Sequence, residues 1–458
     1  MEIDFYGATG TVTGSKYLVR GASASVLIDC GLYQGYKQLR LRNWAPPPFD
    51  VTAINAVVLT HAHLDHTGYL PLLIKKGFNG RVYCTEATRA LCRILLPDSG
   101  RLQEEEAEHA NRNRWSKHTP ALPLYTEADA MHALEHLESR PFDQDFDVAT
   151  GIHARFLPAG HILGSAMIQL TGGETRILFT GDLGRSSDPI MRPPVQVQST
   201  DYLVVESTYG NRRHDATDPH IQLGEVIRRT SERNGVVVIP SFAVGRTQSL
   251  LWCIHRLKEE KLIPPNIPVY LNSPMAIDVT AVYQQYRTEH RLSPEQCNAM
   301  CQAARFVNTV DESKALNERH GPMVIIAGSG MATGGRVVHH LKAFAPDPHN
   351  TIVFAGFQAS GTRGAAMLAG ANSIKIHGEY VAVRAEIASL SNLSAHADYV
   401  ETLDWLRQFR QPPRRTFITH GEPAAADALR LHIEEDLHWN CSVPEYLERV
   451  VLEPGGKP

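Results

Sequence analysis

The chain has no C-x-x-C pair, and its seven cysteines, Cys30, Cys84, Cys92, Cys253, Cys297, Cys301 and Cys441, are odd in number and widely spaced. Neither a disulfide framework nor a thiolate zinc site is expected, and a reducing cytoplasm suits such a chain. No run of 18 apolar residues occurs, and Met1-Glu2-Ile3-Asp4-Phe5 lacks both a basic start and an apolar leader core. Export by a signal peptide and membrane spanning are therefore not expected. Excess positive charge is missing too: 45 Lys and Arg against 49 Asp and Glu leave a net charge of −4. Any polyanion must be held by local patches or bound metal. What is present is ordinary for a globular protein, with 43% hydrophobic and 21% charged residues, and 458 residues suggest two or three domains.

Against that background one stretch stands out, Ala56 to Tyr69, which reads A-V-V-L-T-H-A-H-L-D-H-T-G-Y. Ala56-Val57-Val58-Leu59 has the small and β-branched character of a strand buried on both faces. It runs directly into His61, His63, Asp65 and His66. His61 and His63 can turn onto one metal ion, while Asp65 and His66, further round the turn, can reach a second about 3.5–4 Å away. Nitrogen and oxygen ligands without cysteine suit Zn²⁺, and Mn²⁺ or Fe²⁺ are also compatible.

Around this stretch the pattern alternates. Ile3–Tyr6, Tyr17–Arg20 and Ser25–Ile28 read as a β-meander. Asp29 follows the third strand and can hydrogen-bond the histidine loop from behind the ligands. Helices are expected over Tyr69–Lys76, Glu86–Leu96, Leu102–Arg114 and Thr126–Ser139, with a strand at Arg81–Cys84. Arg112, Arg114, Lys117 and His118 flank Trp115, a basic cluster with an aromatic that could meet a polynucleotide, although a solvated loop is the simpler reading. Strands at Ile152–Leu157 and Arg176–Thr180 lead into His161, between Gly160 and Gly164, and into Gly181-Asp182. These strand-end residues would complete a two-metal site, His161 on the first ion and Asp182 bridging both.

Asp29, H-A-H-L-D-H, His161 and Asp182 together resemble the successive motifs of the metallo-β-lactamase superfamily. That resemblance implies an αββα sandwich with the metal pair at one edge of two packed sheets. After Leu203–Glu206 the chain changes to helices at Pro219–Asn234, Arg246–Lys261, Ala276–Arg287 and Arg336–Phe344, interleaved with strands at Val236–Pro240, Val269–Leu271, Met323–Ala327 and Thr351–Phe354. Such alternation predicts an inserted α/β domain on a mainly parallel sheet. With Glu206 before it, and Ser394-Ala395-His396-Ala397-Asp398 and Thr419-His420-Gly421 after it, the insertion resembles the β-CASP group, which includes RNA-processing nucleases. The expected domains are 1–206, 207–372 (the insertion) and 373–458. The first strand begins almost at Met1 and few residues follow His420, so the chain resembles a minimal catalytic core.

The resemblance implies roles. His420 completes the second ion's ligands, and His396, held by Glu206, stands beside the scissile bond as general acid; with Asp65, these are the expected catalytic side chains. Two divalent ions, zinc by preference and manganese as an option, would lower the pKa of a shared water and neutralise phosphoryl charge. The expected reaction is hydrolysis of RNA, single-stranded by preference, in endo- or 5′-to-3′ exonuclease mode, leaving 5′-phosphate and 3′-hydroxyl ends. A DNA nuclease and a non-catalytic RNA-processing subunit are the alternatives, and oligomeric state is left open. Two glycine-rich strand-to-helix turns are candidate phosphate cradles: Gly328–Gly335, with Ser329, Gly330 and Met331, and Pro240–Arg246, with Ser241 and Arg246. Phe357–Arg363 is a weaker third.

Overall fold

The computed structural model describes residues 1–454 apart from Trp115 and Ala216, so the aromatic of the expected basic cluster lies outside the described residues. Two compact units emerge, one formed by 1–213 with 396–458, the other by 214–395.

The first unit is built on two seven-stranded sheets. One runs in the order Arg449–Val451, Glu2–Phe5, Tyr17–Arg20, Ser25–Ile28, Ala56–Val58, Arg81–Cys84, Leu137–Ser139. The other runs Cys441–Ser442, Arg415–Thr419, Tyr202–Glu206, Thr175–Phe179, Ala166–Gly172, Ile152–Pro158, Asp145–Ala149. Inward side chains of both, including Ile3, Phe5, Val26 and Val58 against Phe156, Ile168, Phe179 and Phe417, form one buried core. Along Tyr202–Glu206 the faces alternate: Tyr202 and Val204 join this inter-sheet core, whereas Leu203 and Val205 pack with Leu403, Leu406 and Ile433 of helices Tyr399–Leu406 and Pro423–Leu437. On the first sheet, parallel strands Ala56–Val58, Arg81–Cys84 and Leu137–Ser139 are joined through helices, which must cross one sheet face. The outcome is the αββα sandwich.

Three local expectations need correction. Glu86–Leu96 and Leu102–Arg114 are not separate helices but one, Glu86–Asn113, with Pro97 inside it. Gly100 explains the continuity: a Cβ there would lie 2.6 Å from the Thr126 carbonyl, so the helix is held against the chain at its supposed break. Thr126–Ser139 is a shorter helix, Glu127–Leu134, followed by the edge strand Leu137–Ser139. Strand Ala166–Gly172, which no expectation covered, pairs with neighbours on both sides in the second sheet.

The second unit carries a six-stranded sheet, Arg305–Phe306, Val269–Asn272, Met323–Ala327, Val236–Pro240, Thr351–Phe354, Glu386–Ser389, with every pairing parallel. Its last strand moves the boundary. Residues 373–395 were expected in the first domain, but Glu386–Ser389 pairs with Thr351–Phe354, and the hairpin Ser373–Ile376 with Glu379–Ala382 packs Ile374, Ile376 and Val381 into this unit's core. The unit likewise begins at 214 rather than 207, because Thr208 and Gly210 remain packed on residues of the first unit.

Candidate active site

Strand Ala56–Val58 ends at Leu59, and the chain then turns through His61, His63, Asp65 and His66. Gly31 permits that turn to sit close: its backbone faces Asp65 so tightly that a Cβ would lie 1.5 Å from the Asp65 carbonyl oxygen. Three other strand ends deliver His161, Asp182 and His420 to the same place.

Seven side chains gather in two groups, His61, His63, His161 and Asp182 in one and Asp65, His66 and His420 beside it. Asp182 divides its two oxygens between them. Its Oδ2 lies 3.4 Å from His61 Nε2 and 3.5 Å from His161 Nε2. Its Oδ1 lies 3.2 Å from His66 Nε2 and 3.5 Å from His420 Nδ1. Asp65 Oδ2 is 3.6 Å from His420 Nε2.

Ring nitrogens in these groups face one another. His63 Nδ1 stands 3.1 Å from His61 Nε2 and 3.3 Å from His161 Nε2, and His66 Nε2 stands 3.1 Å from His420 Nε2. For His66 the far-side nitrogen carries a proton. His66 Nδ1 is 2.7 Å from Asp29 Oδ2, and a carboxylate only accepts, so this nitrogen carries the hydrogen and Nε2 turns inward. Thr60 fixes Asp29 through its backbone N–H at 2.8 Å and its hydroxyl at 3.0 Å, and also meets His61 Nδ1 at 3.1 Å. Thr208 Oγ1 meets His420 Nδ1 at 3.2 Å.

The fit to metal follows from this arrangement. Inward lone pairs about 3 Å apart repel unless a cation lies among them, and Asp182 Oδ1, in a side chain only 2% exposed, receives no hydrogen bond. Burial, with the neighbouring His61, drives the His63 imidazole down to about 3, and burial drives His161 well below its usual value, the neutral state a ligand needs. His66 differs. Burial pulls it down, but the Asp182 and Asp29 carboxylates outweigh burial and hold it well above the imidazole range. That side of the site calls for positive charge.

His396 and Glu206 stand at the edge of this cluster. His396 Nδ1 is 2.9 Å from Glu206 Oε1, which also accepts the Leu183 N–H at 2.8 Å, while Oε2 accepts the Thr208 N–H at 3.1 Å. Backbone pairing secures His396: it bridges Gly184, and Ala397 N–H donates to the Leu183 carbonyl at 2.8 Å. Burial lowers His396, yet the charges of Glu206 and Asp182 and the Glu206 hydrogen bond lift it to about 9. The ring lies 4.5 Å from the His161 ring. Thr60 and Thr208 are the contributors that the sequence reading passed over. Their only signal was adjacency, Thr60 just before His61 and Thr208 two residues after Glu206.

The glycine-rich turns lie in the second unit, at the ends of neighbouring strands: Ser241 N–H donates to the Ala327 carbonyl at 2.9 Å. Their side chains mostly serve the turns themselves. Ser241 is 1% exposed and its hydroxyl bonds Thr247 Oγ1 at 3.0 Å. Ser329 Oγ accepts the Thr333 N–H at 3.1 Å. Met331 and Gly330 hold the Phe357–Arg363 turn, through Gly364 N–H to the Met331 carbonyl at 3.3 Å and Gln358 Nε2 to the Gly330 carbonyl at 3.1 Å. Gly330 is glycine because a Cβ would lie 2.5 Å from the Phe242 ring, and the Arg246 guanidinium packs on Gly356.

Strand-end histidines and carboxylates at the edge of two packed sheets define a metallohydrolase of the αββα kind. Comparison with known proteins agrees: the chain matches the metallo-beta-lactamase superfamily over 9–264, the Beta-Casp domain over 247–367 and the Zn-dependent metallo-hydrolase RNA specificity domain over 380–444. It belongs to the metallo-β-lactamase superfamily, within the β-CASP group of RNA nucleases. Ribonuclease TTHA0252 of Thermus thermophilus is 36% identical over 92% of this chain and 93% of its own length. Transcription termination factor FttA of Methanosarcina mazei is 31% identical over 99% of this chain and 72% of its own. Among solved structures, a protein of unknown function from Enterococcus faecalis V583 superposes with a TM-score of 0.54 at 13% identity, over 98% of this chain and 99% of that one, a likeness of fold alone.

Proposed function

We propose that this chain hydrolyses phosphodiester bonds of single-stranded RNA, leaving 5′-phosphate and 3′-hydroxyl ends. The observation that carries the reading is Asp182, whose two oxygens face two separate groups of inward nitrogens. His61, His63 and His161 would hold one divalent ion and Asp65, His66 and His420 a second, Asp182 serving both, with zinc the ion best suited to the donors. When bound, the ions supply a water acidic enough to attack phosphorus at neutral pH and neutralise phosphoryl charge.

The chain's own groups do the rest. Asp29 and Thr208 fix the ring orientations of His66 and His420 from behind. Glu206 holds His396 by Nδ1, so Nε2 is the ring nitrogen that would protonate the departing sugar oxygen, a poor leaving group as an alkoxide. The charge of Glu206 keeps that proton in place at neutral pH. Seven free cysteines support a reducing compartment, the cytoplasm.

The test is incubation of metal-loaded protein with RNA labelled at either end and with DNA of matched sequence. Single-nucleotide products from the 5′ end report exonuclease action, and internal fragments report endonuclease action. Intact RNA beside cleaved DNA would overturn the choice of substrate.

A further inference from the structure

The site explains the strand ends but not the helix that follows Asp29. Helix Lys37–Trp44 is mostly exposed, and it carries large apolar side chains outward: Leu41 is 53% and Trp44 54% exposed, with Tyr36 at its start 56% exposed. At 100° per residue, Lys37, Arg40, Leu41 and Trp44 fall within about a quarter-turn of one another on one face. Asn43, the helix's buried residue, lies on another side. Neither Lys37 nor Arg40 has an acidic partner among the described residues. From Cys30 to Phe49 there is no Asp or Glu, and Lys37, Arg40 and Arg42 give that segment three positive charges in a chain of net charge −4.

This face is held firmly, and near the cluster. Asn43 clamps Tyr33 in both directions, accepting its N–H at 2.9 Å and donating to its carbonyl at 2.8 Å. Arg42 lies over the Tyr33 and Tyr446 rings, 5.3 and 3.9 Å from their centroids. Leu32 N–H donates to the Leu64 carbonyl at 2.9 Å, next to Asp65, and Gly31 packs on Asp65 itself. Lys37 lies six positions after Gly31, at most about 20 Å of chain.

We infer that the Lys37–Trp44 face, with Tyr36, is a stacking platform for single-stranded RNA, Trp44 and Tyr36 receiving bases and Lys37 and Arg40 meeting phosphates. The inference rests on RNA as substrate. An unpaired indole between unpaired cations suits a base and its phosphate, whereas a protein partner of ordinary polarity would gain nothing from the uncompensated charge.

Binding and cleavage separate this inference from the nuclease reading. In a His396→Ala background, anisotropy of a fluorescein-labelled oligouridylate of about 16 nucleotides reports binding without turnover. Trp44→Ala should weaken binding about 5- to 150-fold, the range for loss of one stacked base. Trp44→Phe should restore most of it. Arg40→Ala should flatten the slope of log affinity against log salt by about 0.7. With His396 intact, Trp44→Ala should raise KM for long RNA and leave hydrolysis of bis(nitrophenyl) phosphate unchanged. Equal RNA affinity for Trp44→Ala and its parent would overturn the platform, as would a shift from dimer to monomer in sedimentation, which would assign the face to a second copy of this chain. Failure of the unsubstituted protein to cut RNA would overturn the nuclease reading instead, with the binding arm still deciding the platform.

Discussion

The two units treat their strand ends in opposite ways. In the first, His61, His66, His161 and His420 turn ring nitrogens toward one another and toward Asp182, whose buried Oδ1 receives no hydrogen bond. In the second, polar groups at the same kind of position close on themselves: Asn272 bonds Ser313, His340 and Arg336, and Ser241 bonds Thr247. Both look alike as sequence, an apolar run leading into polar and glycine residues. For these residues the difference lies in whether the hydrogen-bond capacity is spent internally, as it is at Ser241 and Asn272 and is not at Asp182 Oδ1.

The largest break in this comparison should come from Asp182→Ala, which removes the group facing both clusters. RNA cleavage should fall to background and further than in His420→Ala, measured with end-labelled RNA; equal activities would refute the dual role. Next is His396→Ala, which should lower RNA cleavage by about 10²–10⁴ while sparing bis(nitrophenyl) phosphate, whose nitrophenolate leaves without an acid. Parallel loss on both substrates, with metal lost, would make His396 a structural or ligand residue. A subtler change is expected from Glu206→Gln. A general acid must keep its proton, so activity fails as pH rises through the His396 pKa. Removing the carboxylate lowers that pKa, and the alkaline limb of kcat/KM should move to lower pH. An unmoved limb would detach Glu206 from His396.

The smallest effect on chemistry belongs to the second unit. Gly330→Val forces a side chain into the Phe242 ring, an overpacking that costs about 1–3 kcal/mol. Thermal unfolding of the whole chain should register it, metal content should not change, and Phe242→Ala in the same chain should recover part of the loss. Weaker RNA binding at unchanged stability would instead place that turn against a phosphate.

The convergence of the candidate ligands was legible because a strand end fixes where a side chain goes, and seven histidines and carboxylates at four such ends leave little freedom. Asp182's division between two groups also follows from its place after a strand. The boundary at 395 was not legible: Glu386–Ser389 has the pattern of a half-buried strand, and only its parallel partner, Thr351–Phe354, decides which sheet it joins. Nor was the unbroken helix Glu86–Asn113, since Pro97 and Gly100 read locally as a stop and the contact that overrides them comes from Thr126. On the Cβ side of Gly330 the space is filled by the Phe242 ring, an aromatic 88 positions earlier that no local pattern could pair with it.

The account stands most directly on the cation that the inward nitrogens demand. Elemental analysis of protein purified without exposure to chelator should find two divalent ions per chain, zinc foremost, with a clear fall in Asp182→Ala. Protein that folds and cleaves RNA with no more than traces of metal would contradict it.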